Sequence, residues 1–235
     1  GTIFAAGINP LRQAQRMGRV GPNAPGTRST GKLKSRSIGA RAERAATSLP
    51  DPMPKPSTDQ YAFALNPLPD YLWPGLDIVF VGINPGTVSA KAGHYYGNPM
   101  NGFWRCLYLA GLTPVLLAPA EDRQLLTFGY GLTDIIKRLS RGVHELRVEE
   151  FRNGRVILEK KLLRCEPRIV CFNGKTGFLG FFGDTSFRGF GDQRVTIGLS
   201  KIIDIPSTSP AKARFPFAVK RRYIAALRAW LNALK

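Results

Sequence analysis

The chain has 235 residues, 43% of them hydrophobic, which suffices for one well-filled core and sets an expectation of one domain, two at most. Its 34 Lys and Arg stand against 16 Asp and Glu, and a formal net charge of +18 attracts a polyanion through counterion release. Nucleic acid is the expected partner, with a ribosomal role, a membrane-surface role or mere solubility as alternatives.

No apolar run is long enough to span a bilayer, and no basic start leads into a short apolar segment. The expectation is a soluble intracellular monomer, cytoplasmic or nucleoid-associated, with no membrane partner. Cys106, Cys165 and Cys171 are odd in number and form no C-x-x-C pair, which argues against a disulfide framework and against zinc or iron–sulfur ligation. His94 and His144 are the sole histidines, so neither a metal nor a cofactor is expected.

The stretch from Gly1 to about Pro56 carries ten Lys and Arg, from Arg12 to Lys55, against only Glu43 and Asp51. Gly, Pro, Ser, Thr and Ala fill much of the rest, without a sustained apolar period. Such a segment buries too little surface to offset its ordering entropy. It is read as a disordered basic tail, residues 1–56, that tethers the protein to DNA, followed by one folded domain, 57–235.

Within that domain, short apolar runs alternate with amphipathic stretches. Asp77 to Val81, Arg168 to Phe172 and Lys201 to Ile205 read as buried parallel strands, each closed by Gly, Pro, Asn or Ser. A weaker strand is expected at Arg194 to Ile197. Asn101 is expected to cap a helix through Phe103, Trp104, Leu107 and Leu109 that stops at Gly111. Val148 to Cys165 reads as a helix with Phe151, Val156, Ile157, Leu162 and Leu163 inward, weakened by Gly154. Val219 to Leu234 reads as a terminal helix with Tyr223, Ile224, Leu227, Trp230 and Leu231 on one side. This alternation implies the α/β class: a three-layer αβα domain with a largely parallel central sheet. Ligands of such sheets bind beyond the carboxyl ends of the strands, so one site built from several strand exits is expected.

The exits carry an ordered set of motifs: Gly82-Ile-Asn-Pro-Gly86, Gly93-His-Tyr-Tyr96, Asn101-Gly-Phe-Trp104, Phe151-Arg-Asn-Gly-Arg155, Phe172-Asn-Gly-Lys175, and Pro206-Ser-Thr-Ser209 with Ala213-Arg-Phe-Pro216. In this order and spacing, from Leu65 to Lys235, the chain resembles the mismatch-specific uracil-DNA glycosylase and thymine-DNA glycosylase family. The resemblance implies flipping of uracil or thymine, mispaired with guanine, out of duplex DNA and hydrolysis of its N-glycosidic bond. It implies that Asn84 positions the attacking water, within a substrate pocket formed with Ile83, Pro85, Gly86, His94, Tyr96 and Asn101. Tyr96 matches the position whose ring stacks on the flipped base, a contact worth about 1–3 kcal/mol; an ordinary half-buried tyrosine is the alternative. Tyr95 stands where some relatives have a second histidine. His94 either contacts substrate or caps a turn.

Asp134 departs from the Asn or Lys of relatives. It follows Tyr130-Gly-Leu-Thr133, and either orients or deprotonates the water, stabilises the sugar cation, or caps a helix over Ile135 to Leu139. The loop from Pro206 resembles one that enters the minor groove, with Ser207, Thr208 and Ser209 as phosphate donors. Pro210 and Ala211 break the relatives' pattern, leaving Lys212 or Arg214 as the wedge. Lys175 is read as a phosphate contact or a solvated lysine. Two other classes stay open: a module that binds damaged DNA without cutting it, and a nucleotide-binding α/β enzyme. The turn Gly-Ile-Asn-Pro-Gly fits neither G-x-G-x-x-G nor G-x-x-x-x-G-K-[ST].

Overall fold

The computed structural model describes residues 67–183, 187–210 and 214–234; the expected basic tail and Lys212 lie outside them. Five strands form one sheet: β1 (Ile78–Gly82), β2 (Tyr130–Asp134), β3 (Ile169–Asn173), β4 (Gly191–Ile197) and β5 (Ser200–Ile205). Their order is β2-β1-β3-β5-β4, all neighbours parallel except the β4–β5 pair, which is antiparallel. The helices are α1 (Thr87–Ala92), α2 (Phe103–Leu109), α3 (Val148–Cys165), α4 (Lys175–Phe182) and α5 (Phe217–Asn232), with a 3-10 stretch over Pro119–Phe128. This is the expected αβα architecture.

Alternate residues along each strand face opposite layers, as the two-residue period of a strand requires. Ile78, Phe80, Ile169, Cys171, Ile203 and Ile205 pack with Phe103, Leu107, Leu125, Ile224 and Leu227 on one face. Val79, Val81, Val170, Phe172 and Ile202 pack with Leu158, Leu162, Phe178 and Phe181 on the other. All three cysteines are free and buried. Among the described residues no helix is long and apolar enough to cross a membrane.

Three sequence expectations need correction. In α3, Val156, Ile157 and Leu163 are 52%, 56% and 47% exposed, while Gly154, Leu158 and Leu162 face inward. The cause is Gly154: a Cβ there would collide with the carbonyl oxygen of Ile135, so the helix turns its one bare position toward the end of β2. The residue read as a weakness is the point of closest approach. Second, Gly102 rather than Asn101 is the N-cap of α2; Asn101 Oδ1 instead accepts from the Phe103 N–H at 3.1 Å. Third, no helix follows Asp134. The Ile135 and Ile136 N–H groups bond to the carbonyls of Gly82 and Ile83, at 3.1 and 2.8 Å, so the chain past Asp134 keeps running beside the β1 exit instead of coiling.

Candidate active site

The parallel register lines up the strand exits. Gly82 pairs with Asp134, and Asn173 with Ile205, so β1, β2, β3 and β5 end on one edge. What leaves each strand there is Asn84 from β1, Asp134 itself from β2, Asn173 from β3 and Ser207 to Ser209 from β5.

Asn84 is pinned through its amide nitrogen. Nδ2 donates to Ser140 Oγ at 2.8 Å and to the Arg138 carbonyl at 2.9 Å, with the Pro85 carbonyl at 3.2 Å. Its two N–H groups are thus engaged by protein acceptors, which leaves the carboxamide oxygen as the side chain's acceptor. The partners are themselves held. Ser140 Oγ donates to the Gly142 carbonyl at 3.0 Å, and the Arg138 guanidinium grips Glu150 at 2.7 and 2.9 Å. That bond to Arg138 drives the Glu150 carboxyl down to about 2.

Asp134 ends β2 and is 6% exposed. Its Oδ1 fills the volume that a side chain on Gly82 would occupy, and its Oδ2 is buried with no hydrogen-bond partner among the described residues. Burial raises the carboxyl to about 7, while the Lys137 ammonium pulls it down and the Asp70 carboxylate pushes it up. Lys137 Nζ lies 2.5 Å from Asp70 Oδ1 and donates to the Tyr95 hydroxyl at 3.1 Å. Asp70 also meets Lys161 Nζ at 2.6 Å and accepts from Thr133 Oγ1 at 2.5 Å. Burial opposes ionisation of Asp70, but these cations and hydrogen bonds outweigh it and hold its carboxyl low. A buried carboxyl raised to about 7 at a strand exit marks a candidate functional group.

Tyr96 stacks on Phe103, with centroids 3.8 Å apart and planes inclined by 22°. It adopts a left-handed φ of 51°, uncommon for a bulky residue and therefore imposed by its surroundings. One ring face is covered by Phe103 and the residue is half-buried. Burial raises its phenol well above the ordinary tyrosine value. Tyr95, where some relatives have histidine, is buried between Tyr71, at 5.8 Å, and Lys137. Its N–H donates to the buried Asp122 Oδ2 at 2.9 Å, which also lies 3.4 Å from His94 Nδ1. At that separation His94 Nδ1 makes no hydrogen bond among the described residues.

The remaining expected residues divide. The Ile83 carbonyl is spent on Ile136 and its side chain faces Gly177; Pro85 is buried and its carbonyl serves Asn84 and Ser140; Gly86 caps the short α1. Asn101 uses its oxygen in the local turn. Thr208 is a correction: it is 1% exposed, its N–H donates to Asn173 Oδ1 and its hydroxyl accepts from Asn173 Nδ2, both at 2.9 Å, so it braces the loop and is not presented to phosphate. Ser207 Oγ accepts from the Ser209 N–H at 3.3 Å. Lys175 Nζ lies over the Phe187 ring at 4.8 Å, and the exposed Arg214 lies over Phe215 at 5.8 Å. Lys212 lies outside the described residues.

Sequence reasoning missed Ser140, Lys137, Asp70 and Phe103, and left Asn173 without a role. Only Phe103 and Asn173 sit inside motifs that could have flagged them; Ser140 reaches Asn84 across 56 residues of chain.

The sequence model of the uracil DNA glycosylase superfamily matches residues 69–231. The chain is also similar to the solution NMR structure of a candidate uracil DNA glycosylase from Methanosarcina acetivorans, at 23% identity and a TM-score of 0.45, covering 71% of this chain and 98% of that one.

Proposed function

The chain belongs to the uracil DNA glycosylase superfamily, and from that premise we propose that it is a monofunctional, mismatch-directed enzyme that removes uracil, and more slowly thymine, opposite guanine in duplex DNA. The observation that carries this reading is the pairing of a pinned Asn84 with an unpartnered, buried Asp134 on adjacent strand exits.

In the proposed reaction the mispaired base leaves the stack and lies against Tyr96. Water donates one hydrogen bond to the Asn84 carboxamide oxygen and is thereby aimed at C1′ of the sugar. As the glycosidic bond breaks, its electron pair leaves with the base nitrogen, and the sugar gains oxocarbenium character. The Asp134 carboxylate stabilises that cation and takes the water proton as the new C1′–O bond forms. The products are the free base and an abasic site. An asparagine alone cannot accept a proton at neutral pH, so Asp134 supplies what Asn84 lacks. A weakly paired base flips at lower cost, which favours uracil opposite guanine over a Watson–Crick pair.

The test is a strand-cleavage assay with the full chain, on duplexes carrying G:U, G:T and A:U pairs, with alkali to break abasic sites. Alkali-dependent cleavage at G:U, weaker at G:T and weakest at A:U, is expected. Binding of these duplexes without any alkali-labile product at saturating protein would make the chain a recognition module instead.

A further inference from the structure

Three large apolar side chains stand out as the most exposed among the described residues: Leu199 at 90%, Met100 at 76% and Trp73 at 67%. Leu199 lies in the turn before β5 and Trp73 in the segment before β1, both at the amino ends of the parallel strands. Met100 lies at the opposite edge, where the strands exit. Single exposed hydrophobics are ordinary, so exposure by itself decides nothing. What distinguishes Met100 is how rigidly it is held and what it is held against.

Asn98-Pro99-Met100-Asn101 is a tight turn. The Asn101 N–H bonds to the Asn98 carbonyl at 2.8 Å, and the Met100 N–H to Asn98 Oδ1 at 2.9 Å, while Pro99 fixes the first corner. The turn is then tied to the β5 exit: the Gly102 N–H donates to the Thr208 carbonyl at 3.1 Å, and Thr208 is clamped by Asn173. Two residues on, Phe103 is the ring beneath Tyr96. Next along the same rim, the exposed Arg105 places its guanidinium 4.8 Å over Phe217, whose ring would touch a Cβ on Gly102 at 3.3 Å. An apolar side chain on a fixed turn, a few residues from the base-stacking ring and beside an exposed cation, matches what a wedge into stacked bases requires.

We infer that the rim from Met100 to Arg105 is a DNA-contacting edge of this site, Met100 entering the base stack beside the flipped nucleotide and Arg105 contacting the flanking phosphate. This rests on the glycosylase reading. Methionine suits the role because it is long, unbranched and polarizable, and adapts to an irregular gap. Arg105 is pre-aimed by its stacking on Phe217, so less freedom is lost when it meets a phosphate.

A wedge matters only where a duplex must be opened. The test measures single-turnover excision from a G:U duplex and from the same uracil strand unpaired, for wild type, Met100→Ala and Met100→Leu. The duplex-to-single-strand rate ratio should fall at least tenfold in Met100→Ala and stay within threefold of wild type in Met100→Leu. A wild-type ratio in Met100→Ala, or an equal fall in Met100→Leu, overturns the wedge. For Arg105→Ala, the slope of log affinity against log salt should become shallower by about 0.9, one phosphate contact; an unchanged slope overturns that contact. If the wild-type chain excises uracil from neither substrate, it is the glycosylase reading that has failed.

Discussion

The Oδ1 atom of Asp134 sits in the space that any side chain on Gly82 would fill, and the two residues are register partners at the ends of adjacent parallel strands. The glycine of the first motif therefore creates the berth for the carboxylate of the second strand. Asn84, two residues beyond Gly82, is delivered to the same edge with its amide nitrogen already bonded to Arg138 and Ser140. The groups proposed to hold the water and to take its proton are thus both set at the Gly82–Asn84 end of β1.

Gly82→Ala tests that berth. The added methyl collides with Asp134, not with backbone, so the carboxylate must swing away. Overpacking of this kind costs about 1–3 kcal/mol. Excision should fall at least tenfold under conditions where circular dichroism shows the variant still folded. Full activity in a folded variant would show that the position of Asp134 is unimportant.

The grip on Asn84 predicts a graded loss. Asn84→Ala removes the water's acceptor and should lower single-turnover excision by 100-fold or more, as loss of a preorganised polar group in an active site does. Ser140→Ala removes one of the acceptors that orient the amide while Arg138 remains, and a hydrogen bond worth about 1 kcal/mol corresponds to a roughly fivefold loss. Quench-flow on a G:U duplex measures both.

Lys137 lowers the proton affinity of Asp134 and is held by Asp70 and Tyr95. Lys137→Met removes the cation but leaves the like charge of Asp70 in place. The acidic midpoint of the pH–rate profile should therefore move upward, with the plateau reached at higher pH. A midpoint that stays put would detach Lys137 from the chemistry.

Stability should carry the opposite imprint. Asp134 is raised from an ordinary carboxyl value to about 7 by burial, so between about pH 4 and 7 the folded state holds a proton that the unfolded state has released. Its contribution is fully present below the unfolded value and is lost as pH rises through 7. Asp204, raised to about 8 by burial, acts with the same sign. Asp134→Asn should consequently be more stable than wild type at pH 8, by at most about 4 kcal/mol since a tenfold change in proton affinity is worth about 1.4 kcal/mol. The two should converge at pH 4. Thermal denaturation at both pH values measures the difference.

Much of this architecture was legible in the sequence, because apolar runs closed by Gly, Pro and Asn mark strand exits directly. The expected strands ended at Val81 and Phe172; the real ones run one residue further, into Gly82 and Asn173, which is what brings those residues into the site row. Asn84 and Tyr96 stood out by motif. Asp134 was legible as a chemical anomaly, but Ile135-Ile-Lys-Arg-Leu139 also read as a helix that it would cap. In the fold the chain past Asp134 instead runs on beside the β1 exit, with Ile135 and Ile136 bonded to Gly82 and Ile83, a pairing local periodicity does not report. Ser140, Lys137 and Asp70 were invisible for the same reason: their partners lie 56, 42 and 91 residues away, at Asn84, Tyr95 and Lys161. The inward face of α3 was misjudged because hydrophobicity cannot report that Gly154 meets the Ile135 carbonyl.

The proposed role of Asp134 is tested most directly by the pH dependence of single-turnover uracil excision from a G:U duplex, measured for wild type and Asp134→Asn. Wild type should rise as Asp134 loses its proton, with a midpoint near 7, to a plateau on the alkaline side. Asp134→Asn should be at least 100-fold slower on that plateau and show no rise through neutrality. A variant with the wild-type rate and the wild-type profile would contradict the claim that Asp134 takes the proton from the water that Asn84 holds.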